Sequence, residues 1–264
     1  MKSTIALLTD FGLNDYYVGV MKAVITSINK NVSIIDINHN IPQGDIKKAA
    51  YQLLASYKYF PEKTIFVIVI DPSVGTSRKA ILLKTNKYYF IAPDNGLLTY
   101  ILEDLKNEIC EIVEISNPNY ILSNTSNTFH ARDIFAPVSA HLSKEYNIKL
   151  FGNSIKDIVK IQRPIIITKE NYIIGSLFDI DCFGNLITNI SNDAFKMYNI
   201  KEISIKDVSL KNLVKTYNDV KKGELLALIG SSGYLEISVN QGNAQNFLKI
   251  DYNDMDSLKI DCFF

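Results

Sequence analysis

Two short apolar runs that each stop at an acidic turn constrain this chain most. Ile5 to Leu8 ends at Thr9-Asp10-Phe11-Gly12, and Ile65 to Ile70 ends at Asp71-Pro72. Short apolar runs without polar alternation mark strands buried on both faces. Helix-period stretches lie between them. One carries Tyr17, Met21, Val24, Ile25 and Ile28 on one face, with Asn14 or Asp15 as its N-cap. A second carries Ile46, Ala49, Ala50, Leu53, Leu54 and Tyr57, with Asp45 at its start. A further strand, Val32 to Ile37, and the loop Asn38-His39-Asn40-Ile41-Pro42 separate the two helices. This alternation predicts a three-layer α/β domain, a largely parallel sheet with helices on both faces. Ligands on such sheets bind beyond the carboxyl ends of strands. Asp10 and Asp71 fall there, so two acidic side chains are expected at one crevice.

After about residue 165 helical periodicity fades. Strand-like runs follow at Tyr172 to Phe178, Leu186 to Ile190, Glu202 to Ile205, Leu225 to Ile229, Tyr234 to Val239 and Phe247 to Ile250, separated by Gly and Asn turns. They predict a smaller, mainly antiparallel β domain. The N-terminal domain is expected over residues 1–160 and the C-terminal one over 168–264, with Arg163-Pro164 as connector.

Lys+Arg and Asp+Glu balance at 28 each, and no basic stripe points to nucleic acid or a membrane surface. The three cysteines, Cys110, Cys182 and Cys262, form no CxxC pair, which argues against a disulfide framework or zinc knuckle and for a reducing, cytoplasmic setting. The N-terminus lacks the regions of a signal peptide. No GxGxxG follows the first strand, and there is no P-loop, GxSxG elbow or HExxH. The three histidines, His39, His130 and His141, have no metal-ligand spacing. His141 falls on a helix expected over 133–143, with Asp133 as N-cap, and reads as structural.

Four segments interrupt the pattern with polar, Gly- or Pro-containing sequence: residues 8–19, 69–78, 128–137 and 179–189. Each alone reads as a turn in which Asp caps a helix or Gly takes a positive φ. Together, in this order, they resemble the S-adenosylmethionine hydroxide adenosyltransferase family, whose halogenating relatives attack the same substrate. TDFG, IDPSVGTSR, FHARDIFAP and the C-terminal SSGYLEISVNQGNA carry the resemblance, which spans nearly the whole chain.

The resemblance implies an α/β domain followed by a small antiparallel β-barrel-like domain. It implies hydrolysis of S-adenosyl-L-methionine to adenosine and L-methionine by in-line attack of water at C5′. It assigns the water to Asp71, Arg78 and His130, and the ribose hydroxyls to Asp10. Asp181 and Asn185 would contact the methionine and ribose portions, and Ser231, Tyr234, Glu236 and Val239 lie in the segment around adenine and the amino-acid end. No cofactor or metal is expected, and a homotrimer with sites between subunits is. Gly44 stands where relatives often carry a large apolar residue over the sugar, and Ser73 where they carry Gly.

Rival readings are a halogenase of the same family, a non-catalytic S-adenosylmethionine or adenosine sensor, and a metal-dependent phosphohydrolase on Asp10, Asp15, Asp71 and His130. A carboxylate beside the nucleophile argues against halide. The absence of a phosphate-cradling loop argues against the last.

Overall fold

The apolar runs become neighbouring strands: β1 (Ser3–Thr9) pairs in parallel with β2 (Val32–Asn38) on one side and β3 (Ile65–Val69) on the other. The computed structural model describes residues 2–211, 213–255 and 257–264, and the chain divides after Ile161 into two units. In the first, β4 (Ala80–Thr85), β5 (Tyr89–Pro93) and β6 (Ile109–Glu114) complete the sheet in the order β2-β1-β3-β5-β4-β6. β5 lies parallel to β3, while β4 runs antiparallel to both β5 and β6. The sheet is therefore largely parallel.

Four helices cover it: α1 (Tyr17–Ile28), α2 (Ile46–Ser56), α3 (Thr99–Asp104) and α4 (Ala136–Glu145). Strand side chains alternate between faces. Ile5, Leu7, Val67 and Val69 share a core with Met21 and Ile25 of α1 and Val138 and Leu142 of α4. On the opposite face Phe66 stacks on Phe90 at 5.0 Å, and Tyr57, just after α2, meets Phe90 edge-on at 6.2 Å. Each such buried side chain contributes roughly 1.5–3 kcal/mol, so this sandwich is a rigid base for the loops at its edge.

The second unit is built from two antiparallel sheets. One holds β13 (Leu225–Ile229), β14 (Tyr234–Val239), β10 (Leu186–Ser191) and β9 (Leu177–Ile180), in that order. The other runs β12 (Val208–Lys211), β11 (Glu202–Ile205), β15 (Ile260–Phe263), β8 (Tyr172–Gly175) and β7 (Ile167–Thr168). Leu177, Leu186 and Ile237 of the first share one core with Ile173, Ile203 and Ile260 of the second.

Four local expectations are corrected. The run Tyr172 to Phe178 is two strands, not one: the chain changes sheet after Gly175, where a Cβ would lie 2.6 Å from Ile190 Cδ1. Phe247 to Ile250 is not a strand; Asn243 caps a short helix, Ala244–Phe247, by accepting from the Asn246 amide. α1 begins at Tyr17 without an Asn14 or Asp15 cap, because Tyr17 is anchored by packing on Phe11 and Phe129 at 5.9 and 5.2 Å. Asp133 is not an N-cap. It lies inside a π turn, Ala131–Phe135, that runs into α4, and its fully buried carboxylate accepts from the Ser126 amide at 2.8 Å. Among the described residues no helix is long and apolar enough to cross a membrane.

Candidate active site

The strand order turns at the pair β1/β3: β1 leads outward to β2, while β3 is flanked on its other side by β5. Such a switch point leaves a crevice at the carboxyl ends of the two strands. Asp10 follows β1 and Asp71 follows β3, and both line an open cleft of 790 Å³. His130, Gly44, Tyr17 and Phe129 line it too.

Asp10 is held by its neighbours. Its Oδ2 accepts from the Gly44 amide at 2.9 Å, and Gly44 takes φ +74°, a conformation that suits glycine. Burial pushes the Asp10 carboxyl above the ordinary range, the Gly44 bond works against that, and nearby Asp71 adds to it. Glycine at 44 thus lets the chain take the conformation that presents its amide to Asp10.

The Asp71 loop is set by its own turns. The Val74 amide donates to Asp71 O, the Thr76 amide to Ser73 O, and Asn95 Nδ2 to the Ile70 carbonyl at 2.8 Å. Gly75 takes φ +81°, and a Cβ there would lie 2.3 Å from the Asn127 carbonyl oxygen. Only glycine lets this loop rest on the segment that leads into His130. The π turn that follows His130 is fixed by Asp133, which also accepts from Arg132 Nε and Nη2 at 2.6 and 2.9 Å. Inserted turns of this kind recur at functional sites.

Arg78 joins the two loops. Its Nε and Nη2 donate to Asp71 Oδ2 at 2.9 and 2.6 Å, and Nη2 also lies 2.7 Å from His130 Nδ1. The Arg78 and Asp71 side chains are only 7% and 5% exposed, and the guanidinium sits over the Phe135 ring. Asp71 Oδ1 accepts from Ser73 Oγ at 3.2 Å. Burial, and then the Arg78 charge, hold the His130 pKa below the ordinary histidine value, against the pull of Asp71 and Asp133. The ring is therefore neutral at neutral pH. Arginine can only donate, so Nδ1 accepts and the ring proton resides on Nε2.

The other sequence-derived residues lie in the second unit. Asp181 accepts from the amides of Phe183 and Asn185 through Oδ1 and from Asn185 Nδ2 through Oδ2, each at 2.9 Å. Glu236 is buried and accepts from Tyr217 OH and Ser238 Oγ, both at 2.7 Å. Tyr234 packs on Phe178 and takes a 3.3 Å hydrogen bond from Arg163, Val239 belongs to the core, and Ser231 is exposed. Sequence reasoning missed Gly44 as a donor, Gly75 as a contact and Asn95 as a support; a Gly in the loop that follows a strand, or an Asn just past its end, was the available signal. His39 is buried, and His141 packs edge-on against Tyr120. Among the described residues no three His, Cys, Asp or Glu side chains are grouped to hold a metal ion.

Residues 5–152 match the SAM hydroxide adenosyltransferase N-terminal domain, and residues 175–255 its C-terminal domain. The chain is 40% identical to the (R)-S-adenosyl-L-methionine hydrolase of Methanocaldococcus jannaschii, over 95% of this chain and 93% of the relative. It is 28% identical to the fluorinase of an Actinoplanes species, over 89% and 90% of the two chains. An uncharacterized conserved protein from Thermotoga maritima, of known crystal structure, superposes with a TM-score of 0.91 at 38% identity, covering 98% of this chain and all of the other. The chain belongs to the SAM hydroxide adenosyltransferase family.

Proposed function

We propose that this protein hydrolyses S-adenosyl-L-methionine to adenosine and L-methionine, by in-line attack of a water at C5′ of the ribose. The observation that carries the reading is the Arg78 bridge between Asp71 and His130. A sulfonium is already an excellent leaving group, so no cofactor or metal is proposed. The protein must hold one water in line with the C5′–S bond and strip part of its hydration, an effect of up to roughly 7–11 kcal/mol in ideal cases.

The tautomer divides the labour. His130 Nε2–H donates to the water oxygen and orients it. Asp71 Oδ1, which accepts from the Ser73 hydroxyl and lies opposite the oxygen that Arg78 holds, accepts the proton as attack proceeds. The O–C5′ bond forms, the C5′–S bond breaks, and its electron pair leaves with sulfur as a neutral thioether. Arg78 balances the Asp71 charge and stabilises developing hydroxide character. Asp10 is proposed to accept from the ribose hydroxyls. Asp181 and Asn185 are proposed for the methionine and ribose portions, and Ser231, Tyr234, Glu236 and Val239 for the surroundings of adenine and the amino-acid end, as the family resemblance implies. The higher identity to a hydrolase than to a fluorinase supports water over halide. The hydrolase relatives are named for the R sulfonium epimer, and the same preference is proposed here.

The test is product analysis after EDTA treatment, with R and S epimers, in buffers with and without chloride. Adenosine and methionine from the R epimer in both buffers is the expected result. A halogenated nucleoside, or binding without turnover, would favour the halogenase or the sensor.

The pH profile follows from His130. The active form is neutral and its pKa is lowered, so kcat is expected to fall only as pH drops below the ordinary histidine value of about 6.5. An acid limb centred above that value, or one unchanged in His130→Gln, would contradict the assignment.

A trimer with sites shared between neighbouring chains is proposed on the family resemblance. Mixing Asp71→Ala with Asn185→Ala protein after reversible dissociation is then expected to restore roughly a quarter of parent activity, since one site in four combines two intact halves. No recovery despite proven subunit exchange would place each site within one chain.

A further inference from the structure

A second polar chain runs behind the Asp10 turn, outside the groups assigned to the reaction. Thr9, fully buried at the end of β1, places Oγ1 2.8 Å from Nδ1 of His39. His39 is 3% exposed, and its Nε2 lies 3.1 Å from Asp36 Oδ1. Lys22 of α1 donates to the other Asp36 oxygen at 2.6 Å. The backbone joins the same network: the Gly12 amide donates to the His39 carbonyl at 2.7 Å, and the Phe11 amide to Thr9 Oγ1 at 3.3 Å. One residue therefore holds both ends of the turn that carries Asp10, by its side chain at Thr9 and by its carbonyl at Gly12.

The turn needs such support. The β1–β2 register shifts between Leu7 and Leu8, the β1–β3 pairing ends at Thr9, and Gly12 takes φ +68°, so the turn beyond Thr9 is not held by strand pairing. The trio Thr9, His39 and Asp36 has the composition of a hydrolytic triad, but the Thr9 hydroxyl is fully buried and does not line the cleft. It has no route to a substrate. A hydrogen-bonded contact to a vicinal diol tolerates misplacement of only about 0.5 Å, which makes the supporting groups part of the binding function.

We propose that His39 is a positioning residue: through Thr9 and Gly12 it fixes the turn that aims Asp10 at the substrate ribose, with the Asp36 carboxylate close to the ring's other nitrogen. The proposal rests on the ribose reading of Asp10. Its test uses the full chain with His39→Leu, His39→Asn, Thr9→Val and Asp10→Ala, measuring kcat and KM for S-adenosylmethionine and the affinities for adenosine and 2′-deoxyadenosine.

His39→Leu and Thr9→Val are each expected to raise KM and weaken adenosine binding by about tenfold, near the value of one hydrogen bond, with kcat within about threefold. Their preference for adenosine over the deoxy analogue should fall in step, an effect that general destabilisation would not produce. His39→Asn, whose amide can stand where Nδ1 stands, should recover most of the loss. Thr9→Val keeps the shape of the side chain and tests the proposal even if His39→Leu does not fold. Preference lost in Asp10→Ala but intact in both His39→Leu and Thr9→Val overturns the positioning role and leaves the ribose reading standing. Preference intact in Asp10→Ala overturns the ribose reading, and the proposal with it. A fall in kcat at unchanged KM in His39→Leu would also overturn it, by placing His39 with the water.

Discussion

Replacing Arg78 by alanine is expected to lower kcat by about 10²–10⁴ while affinity for S-adenosylmethionine stays within about tenfold. That loss corresponds to roughly 2.7–5.5 kcal/mol of transition-state stabilisation. Arg78 supplies both donors to Asp71 Oδ2 and the donor that sets the His130 tautomer. Without it, a carboxylate whose side chain is 5% exposed loses its cation, and His130 Nδ1 is free to take the ring proton. Both faults act on the water and neither on the ribose. Asp71→Asn is expected to fall in the same range, since an amide accepts no proton. Lysine at 78 should rescue only part, because a single ammonium does not reproduce the fork that spans both partners. The measurement is steady-state kinetics alongside a melting curve. Equal losses in KM and kcat would show that the pair holds substrate instead.

The second large effect is on binding. Asp10→Ala is expected to weaken S-adenosylmethionine and adenosine alike by about 10- to 150-fold, the equivalent of a charge-assisted hydrogen bond at roughly 1.5–3 kcal/mol. At saturation kcat should change little. The mutation also strands the Gly44 amide, which donates to Asp10 in the parent. A 2′-deoxy substrate should lose no further affinity in this variant. Because burial raises the Asp10 pKa, the ionised acceptor is present above that raised value and is lost as pH falls through it. Adenosine binding is therefore expected to weaken on acidification earlier than an ordinary aspartate would dictate. Calorimetry across pH checks both statements; undiminished discrimination against the deoxy analogue in Asp10→Ala would refute the ribose contact.

What could be read in advance follows the range of the physics involved. Ile65 to Ile70 announced a strand covered on both faces because local composition reports burial, and Glu202–Ile205, Leu225–Ile229 and Tyr234–Val239 are strands over the bounds read from the sequence. Strands β4, β5 and β6 went unread: Lys84, Glu111 and Glu114 interrupt the apolar character of β4 and β6, β5 is a short run of five residues, and the pairing of all three is set by partners rather than by local pattern. At the site, Asp10 and Asp71 were legible as acidic residues at strand ends. The contact between Arg78 and His130, 52 residues apart, was not legible from spacing. It depends on Gly75 lying against the Asn127 carbonyl and on a π turn where a capped helix was expected. Family resemblance named these residues, and the geometry supplies a physical reason for grouping them. His39 could be read only as a loop residue open to any role, because burial behind a turn leaves no local mark.

The central claim is that water attacks C5′ of the ribose, and oxygen labelling tests it most directly. Purified, EDTA-treated protein is incubated with the R epimer of S-adenosylmethionine in H₂¹⁸O, and the products are resolved by mass spectrometry. The account predicts methionine without label and adenosine carrying one ¹⁸O, located at the 5′-hydroxyl. Label in methionine, or release of any nucleoside without label at that position, would contradict it.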